Sequence, residues 1–128
     1  MHPSLILAVA VGGAVGAVGR YMLVVGVGRW LGTGFPWGTL AVNIIGSIVM
    51  GVLVEVMALA WSPSQEVRAL LVVGVLGAFT TFSTFSLDVV ILIDRGELVP
   101  AGAYILASVV ICVVGLYAGM HVTRALLA

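Results

Sequence analysis

An all-α membrane protein of four transmembrane helices is the fold class this sequence predicts, and two observations carry it. Of 128 residues, 62% are hydrophobic and only 8% are charged: five arginines, five acidic residues and no lysine. A soluble domain carries about 25% charged residues, and the mean hydropathy of +1.32 points the same way. The second observation is spacing. Residues 1–19, 30–54, 69–87 and 98–123 contain no Arg, Asp or Glu, and each stretch approaches the roughly 20 apolar residues a helix needs to cross hydrocarbon. Runs such as Ala69–Ala78 and Ile105–Leu116 lack the alternation of a membrane β-strand. This composition excludes a disordered chain, a soluble enzyme of ordinary surface and a nucleic-acid binder with a basic face. The single cysteine, Cys112, excludes an intramolecular disulfide framework and a multi-cysteine zinc site.

One transmembrane domain over residues 1–128 is expected, with helices at about 4–27, 37–60, 68–93 and 99–125. The first helix lacks a basic leader and runs on past Arg20, so it reads as a span rather than a signal peptide. Gly32-Thr-Gly-Phe-Pro36 ends it. Its Gly12-x-x-x-Gly16, like Gly115-x-x-x-Gly119 in the fourth helix, suits close helix approach, either within the chain or between subunits. Four thin helices leave little wall for a pore, which favours an oligomer.

The second helix carries Thr39, Asn43 and Ser47 at intervals of four, on one face. Asn43 brings two donors and two acceptors that lipid does not satisfy. It serves either as glue between helices or as the lining of a path. Ser62-Pro63-Ser64 turns the chain into the third helix. There, every residue from 79 to 86 is Phe, Ser or Thr, directly after Gly74 and Gly77. Paired glycines followed by adjacent threonines predict a break in this helix. Unwound backbone at membrane depth is tolerated where it is buried or lines a cavity. After Asp94-Arg95-Gly96-Glu97, the fourth helix repeats the fourfold pattern with Tyr104, Ser108 and Cys112. Two such stripes suggest a polar path between the second and fourth helices. Trp30, Trp37 and Trp61 fall at helix ends, in the headgroup zone.

A phenyl ring has a positive edge, so ring edges facing a path would aid an unhydrated anion. A cation path would call for carboxylates, but Glu55, Asp88, Asp94 and Glu97 read as interfacial. Arg20, the deepest basic residue, either snorkels or sits at an aqueous mouth where it attracts anions. Orientation is undecided: Arg68 and Arg124 fall on one side, Arg29 and Arg95 on the other with Arg20 nearby, two against two or three. The expectation is a chain that inserts both ways and pairs with an inverted copy of itself.

These features together resemble the Fluc (CrcB) fluoride channels over nearly the whole chain. The match rests on Gly12-Gly-x-x-Gly-Ala17-x-x-Arg20-Tyr21, on Gly38-Thr39-Leu-x-Val-Asn43-x-x-Gly46, and on Gly74-x-x-Gly77-x-Phe-Thr80-Thr81-Phe82-Ser-Thr-Phe85. The resemblance implies a multi-pass protein of the bacterial cytoplasmic membrane, built as an antiparallel homodimer in lipid. It implies two pathways for passive fluoride export that relieve fluoride toxicity. Asn43 would bind fluoride at the entrance, and Phe82 and Phe85 would line the pathway. Thr39, Tyr104 and Ser108 would belong to its polar track, with Cys112 where a hydroxyl is expected. Arg20 would sit near the vestibule. Gly77 and Thr80 would lend carbonyls to a structural Na+ at the dimer centre. No enzyme activity and no nucleic-acid partner are expected. The rival readings are a four-helix proton-coupled efflux transporter, which would need a buried carboxylate, and a non-transporting membrane subunit.

Overall fold

The computed structural model describes all residues, Met1–Ala128. Four helical spans account for nearly the whole chain: Pro3–Leu31, Trp37–Leu59, Gln65–Asp94 and Leu98–Leu127. Each is long and apolar enough to cross a membrane. They are called the first to fourth spans below. Only 19 of the 128 residues are buried, so most of the apolar side chains face outward, as a lipid-solvated bundle requires. Trp30, Trp37 and Trp61 are exposed at the span ends, in the position of an interfacial belt.

The turns follow from their glycines. Gly32 ends the first span at φ 81° and Gly96 follows the third at φ 77°, both in the left-handed region. From the first turn, Phe35 packs back onto the Tyr104 ring at 5.4 Å, edge to face.

Small residues decide which spans touch. A methyl group at Gly12 or Gly16 would overlap the Leu70 and Val75 carbonyls of the third span. Gly51 and Gly119 admit the Leu116 and Ile48 carbonyls in the same way, joining the second span to the fourth. Both GxxxG pairs therefore serve packing within the chain.

The third span is the irregular one. Ser64 caps its start, its hydroxyl accepting from the Val67 N–H at 3.2 Å. Residues Ala69–Leu76 are π-helical, a form frequent at functional sites. This wider coil is the part laid against Gly12 and Gly16. Helix resumes over Gly77–Phe79 and stops at Thr80, whose φ −86° and ψ 157° are extended. It restarts at Phe82 with Thr81 as cap: the Thr81 hydroxyl accepts from the Thr84 N–H at 3.2 Å. The expected break is thus present, between Phe79 and Phe82. The π-helical run before it carries no signature in the sequence.

Candidate functional site

The break is held by Asn43. Its amide nitrogen donates to the Thr81 carbonyl at 3.1 Å, and the Thr81 N–H donates to its oxygen at 2.8 Å. In a continuous helix that N–H would pair with the Gly77 carbonyl. Here it turns to the second span and frees that carbonyl. Gly46, one turn on from Asn43, supplies the room: a Cβ there would overlap the Thr80 methyl and come within 3.3 Å of the Phe79 ring. Asn43 and Gly46 together let the broken segment lie against the second span. Asn43 spends one donor and one acceptor on Thr81, which leaves one N–H free.

Beside this clasp lies a cavity of about 400 Å³. Asn43 and Ser47 line it from the second span, Phe82 and Phe85 from the third, and Ser108 and Cys112 from the fourth. Two members of each polar stripe thus meet across one space, Asn43 and Ser47 against Ser108 and Cys112. No carboxylate or cation lines it. The Ser108 hydroxyl, on a residue only 7% exposed, has no hydrogen-bond partner. A buried hydroxyl of that kind costs about 1–3 kcal/mol unless something binds it.

The two phenylalanines differ. Phe85 is buried and packs on Tyr104 at 5.1 Å, whereas Phe82 is 76% exposed. Their ring centroids are 5.4 Å apart. Tyr104 is wholly buried and donates its hydroxyl proton to Asp88 at 3.0 Å. Thr39 and Asp88 line a second cavity of about 230 Å³, under the turn at Gly32–Trp37. Tyr104 bridges the two cavities, touching Phe85 in one and Asp88 in the other. Thr39 and Tyr104 thus stand apart from the cavity that Asn43, Ser108 and Cys112 share.

Residues 7–120 match the family described as CrcB-like protein, Camphor Resistance (CrcB). The chain belongs to this family. Among similar proteins is one of Rhodospirillum centenum, 54% identical over 124 residues, 97% of this chain and 98% of the other. Another, of Nitrobacter winogradskyi, is 51% identical over 97% of this chain and 98% of its own length. A third, of Agrobacterium fabrum, is 53% identical over 91% and 93% respectively. All three carry the name fluoride-specific ion channel FluC.

Other expected CrcB positions lie around this centre. Arg20 is partly buried, makes no ion pair and lines neither cavity. Gly77 is exposed and Thr80 partly buried, both at the break. Glu55, near the end of the second span, is only 4% exposed, and Arg124 donates to its carboxylate at 2.8 Å. The signal was in the sequence, because Thr39, Asn43, Ser47, Gly51 and Glu55 continue one interval of four. Asp88 is partly buried and bonded to Tyr104.

Proposed function

We propose that this CrcB chain is a fluoride-selective channel of the bacterial cytoplasmic membrane. It lets fluoride leave the cell passively and so reduces fluoride toxicity. The observation that carries this reading is the cavity with neutral hydrogen-bond donors and no carboxylate. The orphan Ser108 hydroxyl and the spare Asn43 N–H are donors without protein acceptors. Fluoride gives up water on entering and needs such donors in exchange. Phe82 and Phe85 line the same wall, where ring edges would offer their positive rim to an anion. The name shared by the relatives above agrees. A proton-coupled exporter would need a carboxylate free to exchange its proton, and Glu55 is tied to Arg124.

The working unit in this proposal is a homodimer with an inverted copy, which carries two pathways. Support comes from the exposure of Phe82 beside an open cavity. An aromatic ring of the polar segment then has a partner chain to meet instead of lipid. The arginine count, which favours neither side clearly, agrees with dual insertion. A structural Na+ fits the chemistry of the break. The freed Gly77 carbonyl and the extended Thr80 backbone are oxygen donors on an open face. Unwound carbonyls hold such ions in membrane proteins. When bound, the ion would join the breaks of the two copies.

The reading is tested by expressing the chain in a bacterium whose own fluoride export is disabled. Growth in fluoride should return, and should be lost again with Phe82→Ile. Membrane-inserted protein that gives no protection would overturn it.

A further inference from the structure

Three hydroxyls in the spans settle their protons on their own helix. Thr80 donates to the Leu76 carbonyl at 3.0 Å, Ser86 to that of Phe82 at 3.0 Å and Thr123 to that of Gly119 at 2.7 Å. Bonding the carbonyl one turn back is the ordinary way for Ser and Thr to satisfy themselves in a helix. Ser47 does not take it. It is partly buried in the second span, yet its hydroxyl bonds neither the Asn43 carbonyl nor any other oxygen, and its side chain lines the cavity. The polar group set against it across that cavity is the Cys112 thiol of the fourth span. Sulfur is a weak acceptor and S–H a weak donor, so the Ser47 proton is only weakly held there. The backbones keep the two residues facing: Gly51, one turn on from Ser47, admits the carbonyl of Leu116, one turn on from Cys112. Asn43 lies one turn before Ser47 on the same face, about 6 Å along the axis.

We propose that Ser47 is a fluoride-binding residue, supplying from the second span the hydroxyl donor that Cys112 does not supply from the fourth. The inference rests on the channel reading given above. A hydrogen bond to an anion is about twice as strong as one between neutral groups, and a hydroxyl donates better than a thiol. At the level of Cys112 the strong donor is therefore Ser47. Its proton reaches an ion by rotation about one side-chain bond, with no movement of the backbone. What it gives up is a sulfur acceptor rather than a carbonyl, so little is lost on turning. An ion that leaves the spare Asn43 N–H thus meets a second donor one turn further along the same helix face. Cys112 keeps the cavity its shape, and Ser47 provides the chemistry expected of a hydroxyl at 112.

The test is fluoride efflux from liposomes holding the purified full chain, with thermal unfolding of the same variants in detergent. Ser47→Ala should lower fluoride flux about tenfold and leave the melting temperature unchanged, because this hydroxyl holds no other part of the chain. In a Cys112→Ser background, where the facing helix regains a hydroxyl, the same Ser47→Ala change should lower flux less than about threefold. Undiminished flux in Ser47→Ala would overturn the proposal. So would a melting temperature that falls together with flux, which would assign Ser47 to packing. An equal loss in both backgrounds would overturn the exchange of roles with Cys112. An unsubstituted chain that passes no fluoride would instead overturn the channel reading, and the Ser47 assignment with it.

Discussion

Asn43 and Thr81, 38 positions apart, exchange two hydrogen bonds of 3.1 and 2.8 Å across the second and third spans. One amide side chain thereby replaces the helical partners that Thr81 gives up at the break. The same side chain keeps a spare N–H beside a cavity whose wall includes Ser108, a residue whose buried hydroxyl has no partner. The choice between glue and lining thus dissolves for Asn43: it is the clasp of the break and part of the wall.

Asn43→Ala should therefore lower both stability and flux. It strands the Thr81 N–H and carbonyl, at a cost of about 1–2 kcal/mol. Thermal unfolding in detergent reads the first effect and liposome efflux the second. An unchanged melting temperature would remove the clasp.

The two phenylalanines should separate. Phe82→Ile changes an exposed ring and should leave the protomer's helix packing intact. Phe85→Ile removes the ring packed on Tyr104 and should cost about 1 kcal/mol more. Both should cut fluoride flux, since both line the cavity. Unfolding curves and efflux rates measured on the pair check this.

Gly46→Ala should also reduce flux, although alanine favours helix. Its methyl would overlap the Thr80 methyl and force the break away from the second span. Thr80→Ser removes that methyl but keeps the hydroxyl, which donates to the Leu76 carbonyl at 3.0 Å. The double variant should recover flux over Gly46→Ala alone. Equal flux in the two would show that crowding at Thr80 is not the cause.

Glu55→Gln should weaken the end of the bundle without abolishing fluoride passage. Arg124 is 52% exposed at its side chain and can turn to water, so the loss should be small. A coupled transporter would instead stop. Efflux with and without a proton gradient distinguishes the two.

Dual insertion makes a separate prediction. A Ser62→Cys label in a Cys112→Ser background sits in the exposed second turn. An impermeant thiol reagent should reach about half the copies from one face and the rest after permeabilisation. Complete labelling from one face would contradict the inverted pair.

Much of this was legible in the sequence because membrane spans announce themselves by length and apolarity. The break was legible too, since glycines followed by Thr80-Thr81 lose little by leaving the helix. The facing stripes of Asn43 and Ser47 against Ser108 and Cys112 followed from an interval of four. What stayed hidden depends on how helices meet. The π-helical run at Ala69–Leu76 is made of ordinary helix-compatible residues, and its close packing on Gly12 and Gly16 is a tertiary matter. The Tyr104–Asp88 bond joins residues on different helices, so neither residue's own span shows it. The burial of Glu55 was hidden for the same reason, because its partner Arg124 comes from 69 positions away.

The most direct test is ion efflux from liposomes that contain only the purified protein, with fluoride and chloride measured in parallel and no proton gradient. The account predicts rapid fluoride release with chloride retained. Release of both ions alike, or of neither from well-folded protein, would contradict it.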